Sequence, residues 1–255
     1  MIAKCGRGYR PTSPPAPPSK IPGVEFFYNI DLYFFFTIRK GKKTKIISTE
    51  EVKENKPYLE ESYLNNSVMD KAVIKEIISL PPGIDYNEWI ATHTLGHFNT
   101  LNLLYGCISE VCTTTTCPVM SAPGALTYLW YDEKGKKTKT LIPAPQYIDY
   151  VMTYVEKHVH DNSIFPSKFG MTFPSHFVAT VKKIEKLLFH VLVHLFFAHY
   201  LDFVNMGLHT HLNCAFMNFV IFNQEFNTLD PKEMAPLEDL AQLMGLMPPP
   251  PIPVQ

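Results

Sequence analysis

The sequence is short of net charge and of long apolar runs. Its 23 basic and 24 acidic residues nearly cancel, so the composition gives no sign of a protein that binds nucleic acid. The most apolar window, residues 24–38, is interrupted by Glu25, Asn29 and Asp31, and it is shorter than the ~20 residues that a membrane span requires. We therefore expect no membrane-spanning segment.

Features of a secreted protein are also lacking. Residues 2–23 are proline-rich and polar, unlike a signal peptide, and the number of cysteines, five, is odd. Both features are typical of a reducing compartment, so we expect a cytoplasmic protein that also enters the nucleus. In such compartments, cysteines that lie close together are metal ligands more often than disulfide partners.

The sequence does contain a series of helical patterns, which predict an all-α fold. One helix begins at Asp85, whose carboxylate can cap it while Glu88 reaches back in a capping box. The most regular pattern is an apolar seam over residues 177–198 with alternating steps of four and three, typical of a helical bundle. Further predicted elements are helices over 148–159, 212–226 and 230–245, and one small hairpin over 126–145 with its turn at 133–136.

Two cysteines and three histidines are candidate metal ligands. Cys112 and Cys117 enclose four threonines, a spacing that differs from the two-residue gap of a zinc knuckle. Each imidazole on the apolar helix, at His190, His194 and His199, needs a hydrogen-bond partner or a metal when it is buried. His190 and His194 share one helix face, whereas His194 and His199 diverge by about 140°. Spacing alone therefore leaves open whether a Cys₂His₂ site exists and which histidines belong to it.

Longer motifs resemble one protein family. The segments LPPGIDYNEWIATHT, CPVMSAPGALTYLWYD, FPSHF, HLNCAFMNFVIF and QEFNTLDPKEMAPLEDL are similar to those of the Mob (Mps one binder, or phocein-like) family. The similarity covers residues 58–247, which leaves residues 1–57 as a disordered, proline-rich and basic extension and 248–255 as a polyproline tail.

The resemblance implies a fold and a cofactor. The fold is a Mob-type helical bundle with one small β-hairpin. A zinc ion is expected to be bound by Cys112, Cys117, His194 and His199, which match the family pattern. Four protein ligands leave no position for an activated water molecule, so the resemblance implies a structural zinc ion and not a catalytic one.

The resemblance also implies a function. Mob proteins are not enzymes; they bind the basic N-terminal regulatory segment of NDR- and LATS-type kinases of the AGC group. This chain is most like the subgroup that binds NDR kinases selectively, so we expect a kinase regulator that modulates an NDR-type kinase. Asp85, Glu88 and Trp89 fall in the stretch expected to supply part of an acidic kinase-binding surface. These residues also have a structural explanation, as a capping box and a core tryptophan.

One departure from the family concerns phosphate binding. Family members that act downstream of Hippo-type kinases bind phosphothreonine through a cluster of basic residues on one helix. The matching positions here hold Lys186, Leu187 and His190, so only one firm cation remains. Because a phosphate pocket normally needs paired arginines, these residues form a degenerate phosphopeptide pocket.

Two other functions are compatible with the sequence. One is a scaffold in a striatin-containing phosphatase complex, as in another branch of the family. The other is a zinc hydrolase with an open metal site formed by His190, His194 and Cys117. The hydrolase is disfavoured because no glutamate stands at the general-base spacing of an HExxH motif.

Overall fold

Helices dominate residues 55–64, 66–131, 141–168 and 170–248, which are the residues that the computed structural model describes. The described α-helices are α1 (Glu61–Leu64), α2 (Lys71–Ile78), α3 (Tyr86–Ile108), α4 (Ala144–Val159), α5 (Phe177–Asn205), α6 (His209–Phe226) and α7 (Glu238–Leu243). Short 3₁₀ helices span Pro57–Leu59 and Pro231–Leu237. Strand β1 (Ser121–Ala122) pairs antiparallel with β2 (Leu126–Thr127). The prediction of an all-α fold with one small hairpin is confirmed.

The long helix α5 is the centre of the fold, because α3, α4, α6 and β1 all pack against it. The predicted apolar seam is buried at every position before its last residue, Ala198, which is exposed. Among the described helices, only α5 is long and apolar enough to cross a membrane by length and composition. Since 67% of its most apolar window is buried inside the protein, α5 has the character of a core helix.

Helix α3 begins as the sequence predicts. The Asp85 carboxylate accepts hydrogen bonds from the backbone N–H groups of Asn87 at 2.9 Å and Glu88 at 3.1 Å. These bonds satisfy two of the N–H groups that have no partner within the first turn of a helix. Within the described residues, Glu88 does not make the return bond of a full capping box, so the prediction holds for Asp85 alone.

The predicted C-terminal helix is interrupted. Asp230 caps its start by accepting from the N–H of Lys232 at 2.9 Å. The segment that follows is a 3₁₀ helix containing Pro236, and α-helical geometry is reached only in α7. Proline has no N–H to donate and its ring collides with the preceding turn, so one continuous α-helix over residues 230–245 was a wrong prediction.

The described hairpin lies upstream of its predicted position. Gly124 and Ala125, both with positive φ angles, form the turn between β1 and β2. The turn predicted at 133–136 lies outside the described residues, as do residues 1–54 and 249–255. Strands of two residues carry no alternating pattern, so β1 could not be predicted from its residues.

The N-terminal end of the described fold is fixed by aromatic and polar contacts. Tyr58 is buried and packs edge-on against Phe196 and Tyr200 of α5. The Asn213 amide donates to the carbonyl oxygens of Tyr63 and Asn66, each at 2.9 Å. Tyr58, Tyr63 and Asn66 are therefore held against α5 and α6.

A buried polar network joins α3, α5 and α6. The Glu185 carboxylate is fully buried and accepts from His97 Nδ1 at 3.1 Å and from Asn223 Nδ2 at 3.1 Å. Thr228 donates to the Asn223 side-chain oxygen at 2.6 Å, which extends the network to the segment after α6. A carboxylate without contact to water is tolerated only when such donors surround it.

Replacement of Glu185 by alanine should destabilise the protein strongly. The variant leaves the donors of His97 and Asn223 without their acceptor, and we expect a loss of about 3–5 kcal/mol in the free energy of unfolding. Urea denaturation measures this loss. Glu225→Ala, at an exposed position of α6, is the control and should change stability by less than about 0.5 kcal/mol. Equal effects of the two variants would contradict a stabilising role for the network.

Candidate metal centre and docking surfaces

The loop after α3 presents two sulfur atoms. Its threonines hold it together: the N–H of Thr113 donates to Thr116 Oγ1 at 2.9 Å, and this hydroxyl donates to the Val111 carbonyl at 2.6 Å. The N–H of Cys117 donates to the Thr113 carbonyl at 2.8 Å. The threonine run therefore closes a tight loop that directs both Cys112 and Cys117 inward, where they are buried.

Helix α5 presents two imidazoles to these sulfurs. Cys112 Sγ lies 3.6 Å from His194 Nε2, and Cys117 Sγ lies 3.3 Å from His199 Nε2. Although the two histidines are five residues apart, their ring centroids are only 5.3 Å from each other. The four ligand atoms all lie within 4.8 Å of one another, and this is the one such group among the described residues.

The arrangement fits a tetrahedral metal ion. With bonds of ~2.3 Å to sulfur and ~2.0 Å to nitrogen, a tetrahedral ion separates sulfur from nitrogen by roughly 3.5 Å. The two sulfur–nitrogen distances of 3.6 and 3.3 Å agree with that separation. Two thiolates and two imidazoles are also a ligand set that divalent transition metals favour. The four residues can therefore hold one ion with no protein ligand missing.

The other nitrogen of each imidazole has a partner of its own. His194 Nδ1 donates to the Ser121 carbonyl of β1 at 3.2 Å, and His199 Nδ1 donates to Asp202 Oδ2 at 2.9 Å. This arrangement leaves both Nε2 lone pairs for the ion, as is usual for histidines that bind metals. Neither partner was predicted from the sequence. A carboxylate three residues after a histidine is a usable signal, whereas a backbone carbonyl gives none.

Neighbouring groups shift the pKa values of Cys112, Cys117 and His199. A hydrogen bond between the two thiols lowers the pKa of Cys117 and raises that of Cys112, so the site favours one thiolate before any ion binds. Burial opposes a charge on His199, but its hydrogen bonds with Asp202 and Cys117 outweigh burial and raise its pKa to about 9. An incoming cation therefore displaces protons when it binds.

His190 lies apart from this cluster. Its ring stacks on Tyr128 at 3.8 Å, and Tyr147 Oη donates to its Nδ1 at 2.7 Å. It therefore belongs to an aromatic cluster under the hairpin, although it shares a helix face with His194. The open metal site considered for a hydrolase, His190 with His194 and Cys117, is not formed among the described residues.

The residues of the expected acidic surface differ in exposure. Asp85 and Glu88 are exposed at the start of α3, and partial burial together with the Asp85 charge raises the pKa of Glu88. Trp89 is only 6% exposed, and its indole N–H donates to the Ile78 carbonyl at 2.8 Å. The two carboxylates are accessible to a partner, while the tryptophan packs beneath them.

An acidic side chain lies among the residues of the predicted degenerate phosphopeptide pocket. Glu233 lies 2.5 Å from Lys186 Nζ through one carboxylate oxygen and 3.7 Å from His190 Nε2 through the other. The contact with His190, followed by that with Lys186, lowers the pKa of Glu233 to about 2. Leu187 is half-buried and adds no charge. The contacts of Glu233 were not predicted from the sequence, in which this residue falls in the first turn of the last predicted helix.

Comparison with known proteins identifies similar chains. The family model described as "Mob1/phocein family" matches residues 66–237. A "MOB kinase activator-like 2" of Drosophila melanogaster is 47% identical over 208 residues, 82% of this chain and 36% of that protein. The mouse "MOB kinase activator 2" is 46% identical over 191 residues, 75% of this chain and 80% of the mouse protein.

A fission-yeast relative extends the similarity. The "Maintenance of ploidy protein mob2" of Schizosaccharomyces pombe is 36% identical over 204 residues, 79% of this chain and 82% of that protein. Two Drosophila relatives are much longer, and the chain spans only 36% and 37% of their lengths. The resemblance inferred from the sequence motifs is therefore confirmed at the level of the family.

Loss of one cysteine ligand should remove the bound ion and unfold the domain. Metal binding at a closed four-ligand site contributes on the order of 10 kcal/mol to folding, so we expect Cys117→Ser to lose both metal and cooperative thermal unfolding. Elemental analysis and circular dichroism measure the two effects. Cys107→Ser is the control, because Cys107 is half-buried and outside the cluster. Full metal content in Cys117→Ser would contradict the assignment.

The Glu233 contact predicts weak phosphate binding. Since a carboxylate already pairs with Lys186, a phosphothreonine peptide should bind the protein no more tightly than its unphosphorylated form in calorimetric titration. Glu233→Gln removes the competing charge and should increase the preference for the phosphorylated peptide by a few-fold. A strong preference in the unaltered protein would show that the pocket is functional.

Proposed function

The chain belongs to the Mob1/phocein family, and from this premise we propose that it is a zinc-containing adaptor that binds the basic N-terminal segment of an NDR-type AGC kinase. In this proposal, the protein modulates the activity of that kinase. Relatives carry the names of kinase activators, which describe regulatory and not catalytic proteins. Their similarity over three quarters or more of this chain is the observation that carries the proposal.

Zinc is the proposed ion. It binds two cysteines and two histidines tetrahedrally in structural sites, and it needs no redox partner or open position. Bound by Cys112, Cys117, His194 and His199, it would supply a cross-link between the loop after α3 and helix α5. The same thiolates support an intracellular location, cytoplasmic and also nuclear, where a reducing environment keeps them from forming disulfides.

Charge complementarity supports the proposed partner. Asp85 and Glu88 are exposed carboxylates on a helix whose interior is fixed by buried contacts. A segment rich in arginine and lysine gains attraction from such carboxylates without reorganising them. Exposed charges mainly raise association rates and select partners, so the apolar surface nearby must supply much of the affinity. Tyr86, 41% exposed and packed edge-on against Phe226, is an adjacent surface of that kind.

Reversal of charge at Glu88 tests the surface. Glu88→Lys should weaken binding to a purified N-terminal segment of an NDR-type kinase about tenfold at low salt. Asp85→Asn should have a smaller effect in the same direction, because asparagine keeps the capping oxygen while losing the charge. Fluorescence anisotropy measures binding, and both differences should shrink at high ionic strength because salt screens exposed charges.

The matched control is Glu156→Lys, which makes the same change at an exposed position of α4. Equal loss of binding in Glu156→Lys and Glu88→Lys would show that total charge matters and the α3 surface does not. Affinity purification separates the remaining alternative: recovery of striatin-type phosphatase components without an NDR-type kinase would favour the phosphatase scaffold and overturn the kinase proposal.

A further inference from the structure

We propose that Asp202 is a positioning residue of the metal centre, one that fixes His199 for coordination and sets how tightly the ion is held. The inference rests on the zinc proposal and goes beyond it, because it concerns a residue that is not itself a ligand. It follows from the geometry of the last turns of α5, from the contrast between the two histidines, and from the position of the carboxylate on the helix.

The geometry places Asp202 directly behind a ligand. His199 Nδ1 donates to Asp202 Oδ2 at 2.9 Å, while His199 Nε2 faces Cys117 Sγ at 3.3 Å. The carboxylate therefore contacts one side of the ring and the metal site lies on the other. A carboxylate in this place keeps the proton on Nδ1, orients the ring and makes Nε2 a stronger donor to the ion.

The two histidines are held by different kinds of group. His194 donates to the Ser121 backbone carbonyl, which is fixed by the pairing of β1 with β2. His199 depends on a side chain of its own helix, three residues further on. Of these two partners, only the Asp202 carboxylate can be removed by a substitution that leaves the backbone unchanged. Substitution of Asp202 can therefore alter metal affinity without changing a ligand.

Helix stability does not explain the carboxylate. Asp202 lies in the last turn of α5, where the negative end of the helix dipole disfavours an acidic side chain. Its side chain is 39% exposed, and its described hydrogen bond is the one to His199. The contact with the ligand therefore offsets an unfavourable position. Removal of the carboxylate should consequently weaken metal binding without weakening the helix.

The test is the zinc affinity of Asp202→Ala, measured in reducing buffer by competition with a chromophoric chelator. Loss of such a partner typically weakens metal binding about 10–100-fold, and this is the change we expect in the dissociation constant. Asp202→Asn keeps an acceptor oxygen and should fall between the parent protein and Asp202→Ala. The absorption bands of bound Co²⁺ give a second measure of affinity that reports on the ligands directly.

Leu201→Ala is the control for disturbance of the helix end, since Leu201 is the exposed neighbour of Asp202. A purely structural role at the helix end would lower the metal affinity of Leu201→Ala as much as that of Asp202→Ala, whereas we expect Leu201→Ala to bind zinc as tightly as the parent. If Asp202→Ala binds metal within about threefold of the parent, as Leu201→Ala should, this inference is overturned but the zinc proposal is not. A parent protein that binds no zinc would overturn the zinc proposal as well.

Discussion

The contact of two cysteines from a loop with two histidines from one helix is the constraint on which the rest of the structure depends. The loop carrying Cys112 and Cys117 has no extensive core of its own, and its threonine hydrogen bonds fix its shape without fixing its position. An ion shared with α5 would fix that position. Because the ligands lie far apart in the sequence, such a cross-link would close a long stretch of chain and restrict the unfolded state more than a short loop would.

Helix α5 also connects the candidate metal centre to groups nearer the surface. His194 of α5 donates to Ser121 of β1, and Tyr128, which follows β2, stacks on His190 one helical turn away. His190 in turn lies 3.7 Å from Glu233, the residue that pairs with Lys186. Metal centre, hairpin and degenerate phosphopeptide pocket are thus neighbours along α5. A change in the hairpin is expected to move His190 through its contact with Tyr128, and so to alter the contact of His190 with Glu233.

The sequence predicted the features that repeat and missed those that depend on single contacts. The seam of α5 and the cap at Asp85 were readable because helical spacing and capping residues act locally. Spacing could not decide between His190 and His199, so the family motif was required. His190 shares a helix face with His194, but it packs against Tyr147 and Tyr128 and not against sulfur. The roles of Ser121 and Glu233 were beyond reach, because a backbone carbonyl and a cap-region carboxylate acquire partners only through tertiary packing.

Helix α3 connects the candidate metal site with the proposed docking surface. It has 23 residues, about 34 Å of helix, with Asp85 and Glu88 at its first turn and the cysteine loop directly after its last. The His97–Glu185 contact fixes its middle, and Trp89 fixes its start through the Ile78 carbonyl. A helix held at its start and its middle, and at its end by the proposed ion, cannot tilt freely, so its carboxylates are presented in one orientation. Such preorganisation lowers the entropy lost on binding, as the proposed adaptor role requires.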